Sequence, residues 1–168
     1  LGGRGLGASH CLENAFLRGM MQTQPAGSFV FAPATGADVA HVAQAIGMAE
    51  AGTGARAASA ALYGIPPEEE PAWLRGLAGV DEPGMAYGWP SFFLLKTLEG
   101  APVAATAAWV EDAQAPSALM QAQVLAYLAG PERQRAAAPA LRQAAAAALP
   151  RSPGALQLEN IAVWPGWR

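Results

Sequence analysis

The residues with the clearest capacity for chemistry lie at the two ends of the chain. The segment LGGRGLG at positions 1–7 contains four glycines around Arg4, and ALQLENIAV near the other end is followed by Pro165 and Arg168. Glycines let a backbone approach an anion closely, and a helix that begins after such a loop presents unpaired N–H groups to it. Arginine forms charge-assisted hydrogen bonds to phosphate. The pattern predicts a site for a phosphate-bearing ligand.

Two common phosphate-binding motifs do not account for this glycine loop. Residues 3–8, GRGLGA, fit G-x-G-x-x-A, but the dinucleotide fingerprint requires a preceding strand, and only Leu1 and Gly2 precede it in the sequence. The sequence contains no G-K-[ST], which excludes the P-loop of nucleotide triphosphatases. A different class of phosphate ligand is therefore expected.

Composition predicts a folded domain without a nucleic-acid surface. The 168 residues are 52% apolar and carry a net charge of -3, so no basic footprint for nucleic acid is present. Cys11 is the only cysteine and His10 and His41 the only histidines, so neither an intrachain disulfide nor a metal site is predicted. No apolar run suits a membrane span and no secretory signal is found, which favours a cytoplasmic protein.

The periodicity of the first half predicts a helix after the glycine loop, then a strand and a second helix. Residues 28–33, SFVFAP, are typical of a short strand. Thr35 and Asp38 stand where a helix N-cap and its acidic first turn are expected, and Val42 and Ile46 then fall on one helical face.

The second half contains the clearest hairpin pattern. The runs FFLLKT and APVAATAAWV flank Glu99 and Gly100, a pair typical of a turn between antiparallel strands. Residues 114–129 and 132–149 predict two helices, and 155–163 a final strand. The order of elements predicts an α/β protein of the mixed α+β kind.

A single domain is expected over residues 1–168, because no linker is long enough to force two. Within it we distinguish four segments: the glycine loop and following helix (1–27), the first strand with helices and hairpin (28–113), a helical insert (114–153) and the last strand (154–168).

Read from the end of the chain into its beginning, the sequence resembles the GNAT superfamily of N-acetyltransferases. That family has a strand, then V-x-P-x-x-R, then R/Q-x-x-G-x-G and a helix, and Val163, Pro165 and Arg168 match the first part as they stand. Gly3 and Gly5 match the turn if Arg168 joins Leu1 directly. In a second register GRGLGA is the turn, with two residues too many after Arg168. Both registers remain open.

Other segments agree with this resemblance. FVFAPATGADVAHVAQAI resembles the family's first strand and helix, with Ala32 where arginine is common, and the hairpin resembles its second and third strands. The resemblance implies a GNAT-like mixed, mostly antiparallel sheet flanked by helices, with a helical insert before the fourth strand.

The second half of the family has no counterpart in the sequence. Its fifth strand, the helix carrying an L-Y motif and the closing strands are not found, so the tyrosine that acts as general acid in the family has no match. Three explanations are open: a permutation with a shortened sheet, completion by another subunit such as a homodimer partner, or a sequence that is incomplete or out of order. The third is slightly favoured.

The resemblance implies an acetyl-CoA-dependent N-acetyltransferase in which an amine attacks the thioester directly. Glu159 on the last strand is the first choice for the base, and Gln157 is placed to orient a water molecule. Glu111 and Asp112, after the third strand, are weaker candidates for lining the acceptor pocket. The acceptor is expected to be a small amine or the amine of a protein or peptide.

In the family, the strand matching residues 161–163 pairs with the pantetheine arm of the cofactor, while the glycine turn and arginine bind its pyrophosphate. The cofactor-binding residues implied by the resemblance are Ile161, Ala162, Val163, Arg168, Gly2, Gly3, Arg4, Gly5, Leu6, Gly7 and Ala8. The alternative is a non-catalytic module that binds CoA or a protein partner, an incomplete GNAT half that requires a second chain. Consumption of acetyl-CoA distinguishes the two.

Overall fold

A computed structural model of the chain describes residues 29–168 as a four-stranded sheet with four helices. The strands are β1 Phe29–Pro33, β2 Phe92–Thr97, β3 Pro102–Val110 and β4 Leu156–Val163. The helices are α1 Val39–Ala51, α2 Ala58–Leu62, α3 Glu70–Ala78 and α4 Ser117–Ala147, with single 3-10 turns at Gly36–Asp38, Trp89–Ser91 and Pro165–Trp167. The α+β class predicted from the sequence is confirmed.

The sheet has the order β1-β2-β3-β4, and its three pairings are all antiparallel. The predicted hairpin is formed by β2 and β3, and Gly100 in its turn has φ +88°, a conformation that glycine adopts without steric cost. The predicted insert also lies before β4, since α4 connects β3 to β4.

One face of the sheet forms the core of the described structure. Phe92 and Leu94 of β2 and Ala105 and Ala107 of β3 are buried there. Helix α1 packs over β3 and β4, with Ile46 fully buried, and α3 packs against α1. Because the strand positions beneath the helix are alanines, the helix backbone can approach the sheet closely.

The 3-10 turn Gly36–Asp38, which leads directly into α1, has the capping arrangement that the sequence predicts. The backbone N–H and the hydroxyl of Thr35 both donate to Oδ2 of Asp38, at 3.0 and 2.9 Å. Lys96 of β2 pairs with the other carboxylate oxygen. Burial alone would raise the pKa of Asp38, but the hydrogen bonds from Lys96 and Thr35 outweigh it and hold the pKa below its usual range.

A β-bulge interrupts β4 at the point where the chemistry is predicted. Ala105 pairs with Ala162 and Ala107 with Glu159. The paired residues are thus three positions apart in β4 but two positions apart in β3, so β4 contains one extra residue. Asn160 within the bulge has φ +50°, which asparagine tolerates better than most residues.

Helix α4 consists of two parts, as the sequence predicts. Gly130, with φ +74° and ψ +167°, is non-helical, and Pro131 follows it. The two parts match the predicted helices 114–129 and 132–149 to within a few residues. Among the helices of residues 29–168, none is long and apolar enough to cross a membrane.

Candidate functional site

The outer edge of β4 carries backbone groups that β3 does not use. The backbone N–H of Trp164 donates to the carbonyl of Val103 at 2.9 Å, so the backbone N–H at position 164 points toward β3. Backbone groups alternate along a regular strand, so those of Val163 point away from β3, and Ile161, within the bulge, has no register partner on β3. Within the described residues β4 has a neighbour on one side only, and the Ile161 side chain is 66% exposed.

Arg168 lies beside this same edge. The 3-10 turn Pro165–Trp167 reverses the chain after β4, and Nε of Arg168 then donates to the carbonyl of Val163 at 2.9 Å. This bond confirms that the backbone of Val163 faces outward. Ile161, Val163 and Arg168, three residues implied by the family resemblance, are thus brought together at one edge.

Glu159 lies just before the bulge, on the face of the sheet covered by α1. Its side chain is 34% exposed and forms an ion pair with Arg151. Its backbone carbonyl accepts a hydrogen bond from the hydroxyl of Thr106 at 3.3 Å. Gln157, two residues earlier, is directed to the same face opposite Trp109, so the two predicted catalytic side chains share one face.

Arg151, which sequence patterns do not single out, is held by several groups. Its Nη1 donates to the hydroxyl of Ser117 at 2.7 Å and to Oε1 of Gln121 at 3.3 Å. Its guanidinium lies 5.4 Å from the ring centroid of Trp109, within the range of a cation–π interaction. Nε2 of Gln121 is buried and, within residues 29–168, makes no hydrogen bond. One hydrogen-bond donor next to Arg151 therefore has no acceptor in the described part of the chain.

Glu111 is the second carboxylate near this arginine, and it is only 5% exposed. It accepts hydrogen bonds from the indole of Trp109 at 3.2 Å and from the backbone and hydroxyl of Ser117 at 2.9 and 2.6 Å. Burial raises the pKa of Glu111, but these bonds and the charge of Arg151 outweigh it, so the pKa lies below its usual range. Glu111 caps the N-terminus of α4 and does not line an open pocket.

Asn160 connects the bulge to a polar network in the core. Nδ2 of Asn160 donates to the carbonyl of Ala86 at 2.7 Å. Tyr87, which follows Ala86 in the chain, donates its hydroxyl to Glu50 of α1 at 2.7 Å. Burial, followed by the charge of Glu50, raises the pKa of Tyr87 well above its usual value, with a smaller contribution from Glu159. Tyr87 therefore stays protonated and holds the loop that supports the bulge.

Sequence reasoning missed Arg151, Tyr87 and Glu50, because no short motif links residues so far apart in the chain. The predicted phosphate-binding residues of the glycine loop, Gly2, Gly3, Arg4, Gly5, Leu6, Gly7 and Ala8, lie outside the described residues. Across positions 29–168, no three histidine, cysteine, aspartate or glutamate side chains are grouped as a metal site would require.

Comparison with known proteins yields no relative for this chain. No family model matches the sequence, and neither the curated proteins nor the solved structures contain a significant match.

Proposed function

We propose that this chain carries the acyl-donor side of an acetyl-CoA-dependent N-acetyltransferase. The observation that carries the proposal is that β4 pairs with β3 on one side only, which leaves its other edge open after the bulge. The side chain of Glu159 lies immediately before that bulge. An open strand edge can pair with an extended acyl donor that contains amide groups. A carboxylate beside that edge can bind an amine acceptor. The order of strands and the GNAT resemblance of residues 156–168 support the same assignment.

The edge of β4 suits the pantetheine arm of CoA because that arm contains two amide groups in an extended chain. Ile161 and Val163 offer outward N–H and C=O groups that can pair with such amides as an added strand would. Arg168 lies at this edge and donates to the carbonyl of Val163. Its guanidinium can exchange this hydrogen bond for one to a phosphate group of CoA, because an arginine–phosphate bond is stronger. The residues present therefore fit the donor.

The reaction places the remaining residues in definite roles. Acetyl-CoA supplies an acetyl group, whose carbonyl carbon forms a bond to the amine nitrogen while its C–S bond breaks. Glu159 takes a proton from the incoming ammonium, and the second proton lost by the nitrogen goes to the departing sulfur. The outward N–H groups of β4 stabilise the negative charge that develops on the carbonyl oxygen. Gln157, on the same face, holds a water molecule for the proton released by Glu159.

The binding half of this proposal is tested by deleting one outward N–H. Val163→Pro removes that donor at an edge position where proline is tolerated, whereas Val163→Ala keeps it and shortens the side chain. We expect calorimetric titration with CoA to show about tenfold weaker binding for Val163→Pro and unchanged binding for Val163→Ala, since one hydrogen bond contributes about 1.4 kcal/mol.

The catalytic half is tested by following release of free CoA thiol from acetyl-CoA in the presence of a panel of amines. Thiol release above the rate without amine, with formation of an N-acetyl product in equal amount, supports acetyl transfer. Binding of CoA without thiol release would instead identify a non-catalytic CoA-binding module. Equal affinities of Val163→Pro and Val163→Ala would contradict the assigned edge.

A further inference from the structure

We propose that Arg151 and Glu159 together recognise the charged head group of a free α-amino acid, which is the acetyl acceptor. This inference rests on the acetyl transfer proposed above and names its substrate class. The two side chains carry opposite charges, touch each other, and are 21% and 34% exposed, so a solute can reach both.

The two partners of this ion pair are anchored unequally. Arg151 keeps three neighbours that do not depend on Glu159, namely the hydroxyl of Ser117, the amide of Gln121 and the ring of Trp109. The carboxylate of Glu159 has Arg151 as its only side-chain partner within residues 29–168. When Glu159 turns away, the guanidinium therefore remains in place, and the pair opens by movement of the glutamate alone.

Apart from Glu159, the described side chains in direct contact with Arg151 carry no negative charge. The hydroxyl of Ser117 gives its proton to Glu111 and accepts from Arg151, so it offers no charge to the guanidinium. The buried Nε2 of Gln121 is a further donor without a partner in the described part of the chain. A ligand carboxylate accepts from Nη2 of Arg151 once Glu159 has turned away, and guanidinium binds carboxylate with good geometry.

A free α-amino acid matches the opened pair because its ammonium and carboxylate stand on one carbon. The carboxylate binds Arg151 while the ammonium binds Glu159 and gives it a proton, which leaves a neutral amine facing the β4 edge. A simple amine has no group for Arg151, and the N-terminus of a protein has a neutral peptide carbonyl where the carboxylate should be. Both leave Nη2 of Arg151 without the direct carboxylate partner that Glu159 provides in the free protein, so a charge-assisted hydrogen bond is lost.

The first experiment measures binding without acetyl-CoA, so its result does not depend on acetyl transfer. The twenty standard amino acids are screened one at a time by ligand-observed NMR. The strongest binder is then titrated beside its carboxamide and its decarboxylated amine. We expect the amino acid to bind between about tenfold and a hundredfold more tightly than either analogue, as loss of a hydrogen bond to a charged group predicts.

Variants assign this preference to Arg151. Arg151→Met should reduce the amino acid's affinity to that of its amide, whereas Arg151→Lys should retain part of the preference. Arg133→Met is the matched control, because Arg133 pairs with Glu69 on an exposed surface of α3 and α4, and it should bind the amino acid like the wild type. Circular dichroism checks the fold of each variant, and the comparison of ligands on the wild-type protein stands if Arg151→Met does not fold.

Three binding results would overturn the inference: no amino acid binds at about 10 mM; the carboxamide binds as tightly as the acid; or Arg151→Met binds the acid like the wild type. Acetylation of amines without preference for a carboxylate would also overturn it while leaving acetyl transfer intact. Selective amino-acid binding without thiol release would support the recognition site and contradict the transferase.

Discussion

Glu111 and Glu159 are two carboxylates near one arginine, and they have opposite surroundings. Glu111 is 5% exposed and accepts three hydrogen bonds from Trp109 and Ser117. The Glu159 side chain is 34% exposed and has Arg151 as its partner. The two surroundings show that the neighbours of a carboxylate, rather than its place in a strand, decide how firmly the fold holds it.

The difference arises from the next structural element along the chain in each case. Glu111 comes at the end of β3, six residues before α4 begins, and the unpaired N–H groups of that helix attract a negative charge. Glu159 precedes the β4 bulge, where the strand leaves the regular pairing and no helix begins. The first carboxylate is held at a helix N-terminus by three hydrogen bonds, and the second is held by Arg151 alone among the described side chains.

Removal of Glu111 is expected to have the largest effect on stability. Glu111→Ala leaves buried donors of Ser117 and Trp109 without acceptors, and we expect a loss of about 3 kcal/mol in the free energy of unfolding. This corresponds to a fall of about 6–12 °C in the melting temperature of a domain of this size. Thermal unfolding followed by circular dichroism measures it, with the exposed Glu68→Ala as a control. A fall no larger than that of the control would show that Glu111 is not a structural cap.

The pH dependence of this contribution sharpens the contrast. Because the pKa of Glu111 is lower in the folded protein than in the unfolded chain, its stabilising effect is complete above the unfolded pKa and is lost as pH falls through the folded pKa. The stability difference between the wild type and Glu111→Gln should therefore be largest at neutral pH and decrease below about pH 4.3, the ordinary glutamate range. Urea unfolding at a series of pH values tests this, and a difference independent of pH would contradict it.

The smallest effect is expected at Glu159, the partly exposed carboxylate. Glu159→Gln removes an ion pair that solvent partly screens, and such pairs contribute less than about 1 kcal/mol. Its melting temperature should stay within about 4 °C of the wild type. A loss comparable to that of Glu111→Ala would remove the distinction between the two residues.

The local parts of this structure were predictable from the sequence. The Thr35–Asp38 cap, the Glu99–Gly100 hairpin and the break of α4 at Gly130 each depend on residues within a few positions of one another. Tertiary partners were not predictable in this way. The contact between Glu111 and the start of α4 was not predicted, because the sequence does not show which side chain the N–H of Ser117 would meet.

The candidate site was predicted in part. Glu159 and the edge residues of β4 follow from the resemblance of one strand, whereas Arg151 reaches Glu159 only because the turn after α4 returns the chain to the sheet. The bulge at Asn160 appears only once β4 is paired with β3, since it is a property of the register. The Tyr87–Glu50 contact joins residues that are 37 positions apart. These features require the fold itself.

The most direct test of the account is the rate of acetyl transfer by Glu159→Gln. With an amine that the wild type acetylates, kcat/KM should fall about 100-fold or more, as loss of a general base predicts, while CoA affinity and melting temperature stay close to those of the wild type. Glu68→Gln should behave like the wild type. Undiminished transfer by Glu159→Gln would contradict the central proposal that this partly exposed carboxylate, beside the open edge of β4, accepts the proton of the acceptor amine.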